Sequence, residues 1–140
     1  MNTMPDHFTL AHWCVLVAAL LPMVCAYIAK GGGGIGRTKE QGGFDNNDPR
    51  GWLQKQTGLP ARANAAQANS FEGLPVFVGA VVIALQLGAS QYWLNLLALA
   101  FVLLRALYIA LYVADKATLR SLVWAAGMAV NVAILFLGYR

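Results

Sequence analysis

The chain has 140 residues, 59% of them hydrophobic and only 11% charged, with a formal net charge of +4. A soluble domain carries roughly twice that share of charge, so several membrane spans packed as one bundle are expected. Most basic residues fall between the apolar runs, where they set topology and meet lipid headgroups, which discounts nucleic acid as a partner.

The first apolar run, about residues 8–29, can span a bilayer at ~1.5 Å per residue. Asp6 and His7 precede it without any Lys or Arg. The run is also longer than a signal-peptide core, so it reads as a retained helix. Cys14 and Cys25 lie within it, roughly 16 Å apart along a helix, too far for a disulfide. They read as small buried hydrophobes. His7 and His12 belong to no Cys/His cluster, so no metal site is expected.

Residues 30–59 are rich in glycine and turn formers and read as a loop. Gly31 to Thr38 spells Gly-x-x-x-x-Gly-Arg-Thr. A phosphate-binding loop needs Lys where Arg37 stands and a β-strand before it, and here an apolar helix precedes it, so no nucleotide site is assigned.

Three more helices follow, at about 60–87, 92–114 and 118–138. Gly88-Ala-Ser-Gln91 makes a short uncharged turn between the first two of these, and Asp115-Lys116 separates the last two. Tyr92-Trp93 and Tyr139-Arg140 read as interfacial anchors. The whole chain is thus expected to be one all-α, four-transmembrane-helix domain. The loop at 30–59 and the connection at Lys116–Arg120 hold the basic residues, which places both on the cytoplasmic side and both termini opposite.

Polar residues interrupt these spans in a pattern. Arg62, Asn69 and Glu72 share one face of the second helix, and Pro75 follows one turn later. Arg105, Tyr108 and Tyr112 form a stripe on the third helix, and Arg120 and Ser121 open the fourth. With the expected topology these groups lie at matching depths near one membrane face. Ionisable groups inside spans usually face the bundle interior and mark a site. Two explanations remain open on physical grounds: an anionic-ligand site, or a Glu72–Arg105 pair that holds the bundle together. Asn131, alone in the fourth helix, reads as interhelical glue.

At these residues the chain resembles the MAPEG family, the membrane-associated proteins of eicosanoid and glutathione metabolism. The resemblance rests on Arg62-Ala…Asn69-x-x-Glu72-x-x-Pro75-x-Phe77, on Arg105-x-x-Tyr108-x-x-x-Tyr112, and on Arg120-Ser121. It implies a homotrimer of four-helix subunits, with glutathione as co-substrate bound between neighbours near the cytosolic face. It further implies a transferase or peroxidase acting on a lipophilic small molecule, with no metal. Carried over, Arg62, Gln67, Asn69, Glu72, Arg105, Tyr108 and Tyr112 would bind glutathione. Arg120 would stabilise its thiolate and Ser121 would donate a hydrogen bond to it. Gln67 points away from the Asn69 face and would serve the adjacent subunit. The chain departs from the family pattern at Ala65 and Trp124, where many members carry arginine and some carry tyrosine. The rival readings are a non-catalytic protein of the same fold and a small four-helix transporter driven through Glu72.

Overall fold

The computed structural model describes residue 5 and residues 7–139, so Asp6 and the expected anchor Arg140 lie outside the described residues. The helices are α1 (Leu10–Gly33), α2 (Pro49–Gln54), α3 (Gly58–Gln86), α4 (Gln91–Val113) and α5 (Ala117–Phe136), with a 3₁₀ turn at Lys39–Gln41. Among the described residues, α1, α3, α4 and α5 are long and apolar enough to cross a membrane.

Helix α1 begins at Thr9, whose extended backbone leaves its carbonyl to accept the first helical N–H groups, those of His12 and Trp13. The backbone N–H of Thr9 donates to His12 Nδ1 at 3.1 Å, so His12 closes the helix start. The helix runs four residues past its expected end near Ala29, into the glycine run. Each helical glycine costs about 1 kcal/mol relative to alanine, and here close packing offsets that cost. A Cβ at Gly32 would stand 2.6 Å from Leu59 Cδ2, and one at Gly33 2.8 Å from Gln56 Oε1. The two glycines thus let the end of α1 lie against Leu59 and Gln56 without either side chain having to move.

The connection expected as a plain loop over 30–59 is folded. Trp52, on α2, is buried and packs edge-to-face on Phe44 with ring centroids 5.3 Å apart. Its indole Nε1 donates to the Gly42 carbonyl at 3.0 Å. Gly34 forms the floor beneath these rings, since a Cβ there would be 2.7 Å from Trp52 Cζ2. Asp48 caps α2 by accepting from the Gly51 N–H at 3.0 Å, with Pro49 at the first helical position. Lys39 lies 2.7 Å from Asp45 and holds that carboxyl below the usual carboxylate range.

Small residues decide how the long helices pack. The buried side of α1 is Ala11, Cys14, Ala18, Pro22, Cys25 and Ala29, spaced three or four apart. It meets the seam of α3 that holds Ala63, Ala66, Ser70, Phe77, Ala80 and Ala84. Small side chains let two backbones approach closely, the usual source of helix association in lipid. Both cysteines are free and buried. Phe77 of α3 stacks on Phe101 of α4 at 4.2 Å, with Leu94 and Ile134 in the same core. At the far end Asn95 Oδ1 accepts from the Ala11 N–H at 3.0 Å and from Gln91 Nε2 at 2.8 Å, tying α4 to the start of α1. Outside, Leu20 and Met23 of α1, Leu103 of α4 and Leu122 of α5 are exposed, a surface suited to lipid or to other copies of the chain.

Candidate functional site

The polar groups collect where the first half of α3 faces the second half of α4 and the start of α5. Arg105 is buried there, only 7% exposed. Its Nη2 donates to Asn69 Oδ1 and to Ser70 Oγ, both at 3.1 Å. The Ser70 hydroxyl in turn donates to the Ala66 carbonyl at 2.8 Å. Asn69 passes the link outward, its Nδ2 donating to Glu72 Oε2 at 3.4 Å. Among the described residues no ion pair joins Glu72 to Arg105: Asn69 stands between them, and Glu72 is exposed. The pairing considered from sequence as a structural explanation is therefore replaced by a relay through an amide.

Aromatic faces hold both α4–α5 arginines. Arg105 lies over the Tyr108 ring at 4.3 Å, and Arg120 over the Tyr112 ring at 4.0 Å. The two tyrosines meet edge-to-face at 5.6 Å. A guanidinium over a tyrosine is held by the ring quadrupole while its in-plane N–H groups stay available. Among the described residues no acceptor hydrogen-bonds to Arg120, so its donors remain free.

Arg120 lines a pocket of about 200 Å³ with Asn69, Tyr108, Tyr112, Ser121 and Trp124. These residues come from α3, α4 and α5. Ser121 is exposed and its hydroxyl donates to the Ala117 carbonyl at 3.1 Å, so its hydrogen is turned back to the helix instead of into the pocket. The expectation that Ser121 donates to a ligand requires that hydroxyl to rotate.

Arg62, Gln67 and Glu72 do not line this pocket. Arg62 Nε donates to the Val113 carbonyl at 3.0 Å, satisfying one of the open carbonyls at the end of α4. Gln67 is half-buried on another face of α3. Asn131, expected to bond across helices, instead has a buried Oδ1 without a hydrogen-bond partner. Sequence reasoning missed Ser70 as a partner of Arg105. The sign was its place beside Asn69 on the small-residue seam of α3, where a hydroxyl faces inward. Trp124 stood out only as a departure, yet it forms a wall of the pocket.

The family model of the MAPEG family matches residues 10–139, nearly the whole chain. No curated protein and no solved structure matches it. The chain belongs to the MAPEG family, whose members include glutathione-dependent enzymes, and it is an integral, multi-pass membrane protein.

Proposed function

From this membership we propose that the protein activates glutathione for attack on a lipophilic electrophile or hydroperoxide. The observation that carries this reading is Arg120, stacked on Tyr112 in a pocket with its donors unused. A free thiol has a pKa of about 8.5, and a neighbouring guanidinium favours the thiolate at neutral pH. The thiolate would attack an electrophilic carbon, forming an S–C bond as the leaving group departs with its electron pair. With a hydroperoxide it would attack the distal oxygen, giving an alcohol and a sulfenic acid that a second glutathione converts to disulfide and water.

Asn69, Tyr108 and Tyr112 shape the pocket, and Arg105 holds Asn69 in place. Glutathione carries two carboxylates and one ammonium. Exposed Glu72 suits the ammonium, and the remaining N–H groups of Arg62 suit a carboxylate in the bidentate manner of guanidinium. Arg62, Glu72 and Gln67 lie off the pocket of a single chain, which fits a trimer in which neighbouring copies share each site. In this arrangement the basic connections face the cytoplasm. The test is turnover of glutathione with an aryl halide and with a lipid hydroperoxide, using protein in lipid. Loss of both activities in Arg120→Ala supports the proposal, and wild-type protein inert with both refutes it.

The non-catalytic reading draws on one specific observation: Arg62 and Arg105 are already bound to protein acceptors and brace α3 against α4. It differs from the first at Arg120, which rests on the Tyr112 ring and, among the described residues, donates to no protein acceptor.

A further inference from the structure

Asn131 carries the one buried side-chain oxygen among the described residues that lacks a hydrogen-bond partner. The residue is 2% exposed and sits well inside α5. Leaving an amide carbonyl unbonded in a membrane interior is costly, so such a group requires an explanation. Arg105 has the complementary surplus. Its Nη2 serves Asn69 and Ser70, while a guanidinium offers five N–H groups in all.

The two residues line one small chamber between α3, α4 and α5, walled also by Gly73, Phe101 and Gly127. Trp124 lines both this chamber and the larger pocket. The chamber offers about 10 Å³ to the centre of a water-sized sphere, which meets the lower bound of roughly 10–15 Å³ for one water. A water there has a strong donor and an unsatisfied acceptor, the minimum of two polar partners that a buried water needs.

We infer that this chamber holds a single ordered water that accepts a hydrogen bond from Arg105 and donates one to Asn131 Oδ1. Asn131 is then a positioning residue. Through the water it fixes the guanidinium fork of Arg105, and the fork fixes Asn69 at the wall of the ligand pocket. This explains why a polar residue is retained so far along a span, away from the pocket it serves.

The experiment is a map of the full-length protein in lipid nanodiscs at a resolution that shows waters, for wild type, Asn131→Leu and Asn131→Asp. Wild type should show density bridging Arg105 and Asn131. Asn131→Leu should lose it and lengthen the contact between Arg105 and Asn69 beyond hydrogen-bonding distance. Asn131→Asp, which keeps an oxygen acceptor, should restore both. A wild-type chamber without density overturns the inference, as does an Arg105–Asn69 contact unchanged in Asn131→Leu. Glutathione affinity adds a second readout, which alone rests on the proposed function: about tenfold weaker in Asn131→Leu and recovered in Asn131→Asp. Wild-type protein that binds no glutathione would defeat that functional reading, while the density would still decide the water. Should Asn131→Leu fail to fold, the wild-type and Asn131→Asp maps decide the same question.

Discussion

Arg105 and Asn69 meet through a hydrogen bond of 3.1 Å from Nη2 to Oδ1, and this contact sets where Asn69 stands in the pocket wall. The same nitrogen serves Ser70 at 3.1 Å, so the fork geometry of arginine matters as well as its charge. A lysine ammonium keeps the charge and loses the planar fork. Arg105→Lys should therefore lower the melting temperature in detergent and weaken glutathione binding, by about tenfold or more. Unchanged affinity with full stability would remove the contact from the site's construction.

The Tyr112 ring supports Arg120 at 4.0 Å. If the ring face is what matters, Tyr112→Phe should keep most thiolate formation and Tyr112→Leu should lose it. A cation–π contact of about 0.5–2 kcal/mol corresponds to a loss between twofold and roughly thirtyfold. Equal losses in the two variants would assign the role to the hydroxyl instead.

Glu72 is exposed and tied to the relay only through Asn69. Glu72→Gln should weaken binding of the intact tripeptide and spare a glutathione analogue that lacks the free ammonium. Calorimetry with both ligands checks this, and equal affinities for wild type and variant would take Glu72 out of the site.

Gly34 lies under Trp52 and Phe44, with backbone as well as side-chain atoms inside the space a Cβ would need. Gly34→Ala should open the folded connection and leave the spans in place, because overpacking of about 1–3 kcal/mol would fall on that layer alone. Limited trypsin digestion reports it: cleavage at Arg37, Lys39 or Lys55 should speed up severalfold while helical content stays constant. Digestion at the wild-type rate would count against a packed connection.

The spans were legible because long apolar runs leave the backbone few choices in lipid. So was the polar stripe of Arg105, Tyr108 and Tyr112, because helical spacing fixes which residues share a face. Partner choice was not legible. Sequence spacing places Glu72 and Arg105 at similar depth and suggests a pair, but the shorter Asn69 lies between them and takes the arginine. Arg62 shared the face of Asn69, yet it sits a helical turn or more nearer the end of α4, where an open carbonyl captures it. The glycine run hid the end of α1, since its meaning depends on Leu59, Gln56 and Trp52 arriving from later in the chain. The unpartnered oxygen of Asn131 likewise exists only once three helices close around it.

The most direct measurement is a glutathione titration of the purified protein, followed by thiolate absorbance in the ultraviolet, for wild type and Arg120→Ala. The proposed role of Arg120 predicts a saturable thiolate signal in wild type near neutral pH. In Arg120→Ala that signal should be lost while most of the glutathione binding is retained. No wild-type signal at cellular glutathione concentrations would contradict thiol activation, and equal loss of signal and binding in the variant would contradict the role given to Arg120.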